Sequence, residues 1–115
     1  MSQNFQPGDF LIFQLESGYA LLRLLAVDDD AVWHLAAYGD FFADVESAEN
    51  AAGDPHTLNV SHGHIALTRR AFESTQVAKI SNTSLMESEM EPLTAWRQNP
   101  VEVSDRSVRL MLGLR

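Results

Sequence analysis

The fold turns on Pro7-Gly8-Asp9, Phe10-Leu11-Ile12-Phe13-Gln14-Leu15, Glu16-Ser17-Gly18, Tyr19-Ala20-Leu21-Leu22-Arg23-Leu24-Leu25-Ala26-Val27, Asp28-Asp29-Asp30 and Ala31-Val32-Trp33-His34-Leu35-Ala36-Ala37-Tyr38. Three apolar runs alternate with turn chemistry. Proline followed by glycine punctuates the chain before the first run. Phe10 to Leu15 is aromatic and β-branched and too short for a stable helix, so it reads as a strand. Glu16-Ser17-Gly18 makes a tight turn, with glycine free to take conformations other residues avoid. Tyr19 to Val27 alternates Tyr19, Leu21, Arg23, Leu25 and Val27 with Ala20, Leu22, Leu24 and Ala26, one set on each side of a second strand. Aspartate bonds its own nearby backbone, so Asp28-Asp29-Asp30 reads as a second turn. A third strand follows from Ala31 to Tyr38. Three strands joined by short turns predict an antiparallel meander.

Outward from this meander the pattern loosens. Asp44 to Gly53 predicts one short helix, with Asp44 as N-cap and Gly53 just past its end. Thr57 to Val60 reads as a short strand, Ser61-His62-Gly63 as a turn, and His64 to Thr68 as a further extended stretch. Arg69 to Thr75 fits a helical turn, and Gln76 to Ile80 alternates like a strand. Ser84 to Glu87 and Ser88 to Glu91 both match a capping box. Pro92 belongs in a first turn, which favours a helix beginning at Ser88 and ending before Pro100. Met86, Met90, Leu93 and Trp96 then form its packing stripe. A last segment runs from Arg106 to Leu112. The whole predicts one α+β domain over residues 1–115, a curved, mainly antiparallel sheet or partly open SH3-like barrel with C-terminal helices.

Composition narrows the function. The chain has 115 residues, 45% of them hydrophobic, enough for a folded core without staples. It lacks cysteine, which excludes disulfides, thiolate metal sites and a cysteine nucleophile. The first residues match no signal peptide and no apolar run spans a bilayer, so a cytoplasmic protein without membrane contact is expected. The net charge is −8. Arg23 is the one Lys or Arg before Ile65, against ten carboxylates. Such a field repels nucleic acid and attracts a basic protein.

Three groups of residues are candidates for a site. Asp28, Asp29, Asp30, Asp40, Phe41, Phe42, Asp44 and Glu46 form an expected partner-binding surface. Neighbouring residues of an extended segment face opposite ways, so one of Phe41 and Phe42 should be exposed, as an aromatic anchor in an acidic rim. His56, His62 and His64 cluster in sequence beside Asp54, but their spacing matches no ordinary zinc signature. They are the candidates for a small metal-dependent hydrolase, the rival reading. Trp33 and Tyr38 are candidates for a small-molecule pocket inside a barrel. No nucleophile elbow, glycine-rich phosphate loop or calcium loop is present, and no cofactor is expected. His34, alone within a strand, reads as structural.

Pro7-Gly8-Asp9, the strand to Leu15, Ser17-Gly18-Tyr19-Ala20 and Arg23-Leu24-Leu25 resemble the opening of the bacterial immunity protein 26-like family. Its members begin with a Pro-Gly-Asp turn, an apolar strand, a glycine-aromatic turn and a second strand ending in an acidic turn. The resemblance covers residues 7–38 and carries no functional residue over. It implies a β-rich acidic antidote that binds and blocks a toxin. The expected function is an acidic protein-binding module with a basic protein partner, and the resemblance implies that this partner is a toxin.

Overall fold

The computed structural model describes residues 5–29, 31–101, 103–106, 108 and 112. The meander is present. Asp9–Leu15 (β1), Gly18–Asp28 (β2) and Val32–Phe42 (β3) pair antiparallel in succession. At Gly18 a Cβ would come within 2.4 Å of the Phe42 carbonyl oxygen, so the turn into β2 needs glycine for a close approach. Val60–Thr68 (β4) adds to the outer side of β3, and Ala78–Asn82 (β5) to the outer side of β1. The result is an open five-stranded antiparallel sheet in the order β4-β3-β2-β1-β5. Register shifts interrupt the β1–β5, β2–β3 and β3–β4 pairings, the irregularities that bend and twist a sheet.

Among the described residues, the helices Val45–Ala52 (α1), Arg69–Thr75 (α2) and Glu87–Gln98 (α3) cover the two faces. On one face, Leu11, Phe13, Leu22, Leu24, Trp33, Leu35, Ile65 and Leu67 pack with Ala71 and Phe72 of α2 and with Val108. Trp33 stacks on Phe72 at 4.2 Å between ring centroids. On the other face, Phe10, Ile12, Leu21 and Tyr38 meet Ala48 and Ala52 of α1, while Leu25 and Ala36 meet Leu93 of α3. Central strands buried on both faces explain why Phe10 to Phe13 and Ala20 to Leu25 are unbroken buried runs.

The structure corrects three local readings. Ser61-His62-Gly63 is not a turn but part of continuous β4. Gly63 is there because a Cβ would lie 3.0 Å from Pro92 Cγ, so β4 and α3 approach closely at that point. Residues 57 to 59 do not join a strand; Pro55–Thr57 forms a 3-10 turn. Helix α3 starts one residue before Ser88, with Met86 at the N-cap. Asp44 caps α1 as expected, accepting from the Ser47 amide at 2.8 Å. Ser104 pairs with Leu67 in a parallel bridge, and most of the expected final segment lies outside the described residues.

Candidate functional site

Alternation along β3 sends Trp33, Leu35 and Ala37 to the α2 face, and places His34, Ala36 and Tyr38 beneath α1 and α3. The side chains of α3 meet this row in order: Glu89 near Tyr38, Leu93 on Ala36, Trp96 on His34, and Arg97 reaching Asp28. A helix resting on a sheet normally buries an apolar stripe. Here apolar Leu93 is flanked by polar contacts on both sides.

At the first of these, Arg23 is 1% exposed. Its Nε donates to Glu89 Oε2 at 3.0 Å and its second amino nitrogen to Glu89 Oε1 at 3.3 Å. The remaining donors reach the carbonyls of Gly8 (2.6 Å) and Ser84 (3.2 Å). The guanidinium carbon lies 4.1 Å from the Phe10 ring centroid. A cation taken out of water needs this degree of pairing to be tolerated. Glu89 Oε1 also accepts the Met86 amide at 2.9 Å, closing half of a capping box.

At the other end three side chains form a line. His34 Nε2 and Asp28 Oδ2 are 2.8 Å apart, and His34 Nδ1 and His64 Nε2 are also 2.8 Å apart. Arg97 donates to Asp28 Oδ1 at 2.7 Å. Trp96 packs against both imidazoles, at 5.0 Å from His34 and 5.5 Å from His64. Burial pulls the Asp28 carboxyl upward, but the His34 hydrogen bond and the His34 and Arg97 charges outweigh it, and its pKa is lowered. Burial, then the positive charges of His34 and Arg97, push the His64 imidazole from its ordinary 6.5 down to about 4. With His34 Nε2–H given to Asp28, His34 Nδ1 is left as an acceptor, and His64 Nε2–H donates to it.

The far end of β3 carries the aromatic pair. Phe41 is 55% exposed, while Phe42 turns in and packs with Tyr19 and Val45 beside α1. Asp40 accepts the Asn59 amide at 2.6 Å and Asn59 Nδ2 at 3.1 Å, which ties the strand end to the loop before β4. Asp44 caps α1, and Glu46 and Glu49 are exposed on it. Glu16 lies on the β1–β2 turn at the same end, because Tyr19 pairs with Phe42.

No protein-family model, curated protein or solved structure matches this chain.

The geometry therefore sorts the expected residues. Asp40, Phe41, Phe42, Asp44 and Glu46 come together at one end of the sheet. Asp28 and Asp29 sit at the opposite end, where Asp28 pairs with Val32. Asp28 is not a free turn carboxylate: it holds His34 and Arg97. Asp30 lies outside the described residues. The histidines separate. His56 is exposed on the 3-10 turn, His62 is exposed with Nδ1 3.1 Å from Ser61 Oγ, and His64 joins His34. Among the described residues no three His, Cys, Asp or Glu side chains are grouped to hold a metal ion. Trp33 and Tyr38 face opposite sides of the sheet and cannot line one pocket. Sequence reasoning missed Arg23, His34, Glu89, Trp96 and Arg97 as one polar seam. A lone arginine in an apolar strand was the signal for its first half, since such a cation needs a buried partner.

Proposed function

We propose that the chain is a protein-binding module that docks a basic partner against the Phe41 end of its sheet. The exposed ring of Phe41 carries this reading. It stands among Asp40, Asp44, Glu46 and Glu49, in a stretch from Leu24 to Thr68 without lysine or arginine. An aromatic anchor inside a rim of one charge is how many interfaces combine affinity with steering. The docking surface is smaller than the sequence suggests, because Asp28 and Asp29 lie at the other end. The resemblance of residues 7–38 to immunity proteins makes a basic toxin the partner to test first.

The test compares wild-type protein with Phe41→Ser and Glu46→Lys in pull-downs at low salt and in binding titrations against the recovered partner. Both positions are exposed and neither caps a helix; Glu46 lies in the first turn of α1, where lysine opposes the helix dipole, so circular dichroism confirms that this variant is folded before binding is compared. A basic protein retained by the wild type should bind Phe41→Ser about thirtyfold more weakly, as expected for a hot-spot residue. Retention of the same partner by both variants at wild-type affinity would rule out this surface.

A further inference from the structure

A concave site lies under α3, on the same sheet face as the polar seam and away from Phe41. It is a cleft of about 80 Å³ between β3, β4 and the first turns of α3. Ala36, Val60, Gly63 and Pro92 form apolar walls, and Tyr38 and Glu89 supply polar groups. Gly63 and Pro92 approach so closely that a methyl group on Gly63 would press on the proline ring, which fixes this wall.

Tyr38 is 5% exposed, yet its hydroxyl makes no hydrogen bond to any described residue. Among the described residues the fully enclosed polar atoms without partners are Trp33 Nε1, Ser81 Oγ and Trp96 Nε1, and the Tyr38 hydroxyl is not enclosed in that way. The hydroxyl therefore reaches open space, and the space its residue lines is this cleft. No described protein group competes for this hydroxyl, so it is free to bond what enters the cleft. Burial, offset in part by Arg23 and reinforced by Glu89, pushes it up to about 12, so it stays a donor at neutral pH. Glu89 offers little net charge to a visitor, since both its oxygens are taken up by Arg23.

We propose that this cleft binds a small neutral molecule that presents a hydrogen-bond acceptor, such as a ketone or lactam carbonyl, on a compact aliphatic body. The apolar walls take the body and the Tyr38 hydroxyl donates to the acceptor. The cancelled charge of the Arg23–Glu89 pair disfavours ions of either sign. The volume is about half that of a cavity known to hold benzene at ~150 Å³, so the enclosed part is a carbonyl with about three flanking carbons, and the rest of a ring such as cyclopentanone lies at the open mouth. This site does not depend on the Phe41 surface.

Amide-resolved NMR titration of the whole chain with cyclopentanone tests it, with isobutyrate and isobutylammonium as charged counterparts of similar bulk. Cyclopentanone should give saturable shifts at Ala36, Gly63 and Ser88. Tyr38→Phe keeps the ring packing and removes only the donor, and should weaken binding about fivefold. Val60→Trp, at a position 58% exposed on the rim, should block binding while leaving the spectrum folded. Absence of saturable shifts, unchanged affinity in either variant, or tighter binding of a charged probe would overturn the proposal.

Discussion

Arg23 and Glu89 show how one residue pair fixes the seating of a helix. They are 66 positions apart, and the guanidinium is shielded from water on the sheet while the carboxylate is 17% exposed. Removing Glu89 alone leaves a buried cation with two backbone carbonyls and the Phe10 ring but no countercharge. Glu89→Ala should therefore cost about 3 kcal/mol in urea unfolding, at the lower end for a broken buried pair because the carbonyls remain. Replacing both partners, as Arg23→Met with Glu89→Leu, should cost much less, since no charge is stranded. His64 sets a pH dependence. Its pKa is about 4 in the folded chain against an ordinary 6.5, so the unfolded chain binds more protons between those values. Stability should be intact above pH 6.5 and fall as pH drops toward 4, by about 1–2 kcal/mol after allowing for solvent screening. The lowered Asp28 extends the loss below its ordinary 3.8. The charged groups facing His64 are His34, Asp28 through His34, and Arg97. Urea midpoints across this range should show a shallower slope for His64→Gln; an unchanged slope would place the effect elsewhere.

At the level of elements, the sequence was most legible where local chemistry and tertiary packing agree. β1, β2 and β3 are apolar runs bounded by glycine or aspartate turns, and packing on both faces needs those same runs. In β4 the extended reading of His64 to Thr68 holds, while Ser61-His62-Gly63 reads as a turn because glycine has two uses. A turn and a tight helix–strand contact both call for it, and only the position of Pro92 on a distant helix separates them. The start of α3 was ambiguous for a similar reason. Ser84 and Ser88 each offered a cap, but Glu89 is held by Arg23, and from there its Oε1 takes the Met86 amide. Met86 is thus an N-cap residue with no capping side chain, 43% exposed, in the extended conformation that serine accepts. Met86→Ser should stabilise the chain by about 1 kcal/mol, read from its thermal or urea midpoint. A loss of stability instead would mean that the methionine packs more than its exposure suggests.

Across the whole molecule, what sequence could not supply was the distribution of charge. The carboxylates of the first sixty-four residues read as one acidic surface, but β3 separates them. Its eleven residues span roughly 30 Å, close to the 36 Å longest dimension of the molecule. At physiological ionic strength exposed charges are screened beyond about 8 Å, so a partner seated at Phe41 responds to Glu46 and hardly to Asp29. Matched neutralisations make this measurable. Asp29 has φ +53°, a conformation asparagine tolerates, and Glu46 is exposed on α1. Asp29→Asn and Glu46→Gln each remove one unit of charge with little change in shape. If attraction came from net charge alone, both would slow association with the basic partner equally. If the Phe41 end is the docking face, Glu46→Gln should slow it several-fold at low salt and Asp29→Asn should leave it near wild type, with the difference vanishing as salt rises. Stopped-flow association rates over a range of ionic strength decide between them, and equal slowing by the two variants would remove the Phe41 end as a specific docking face.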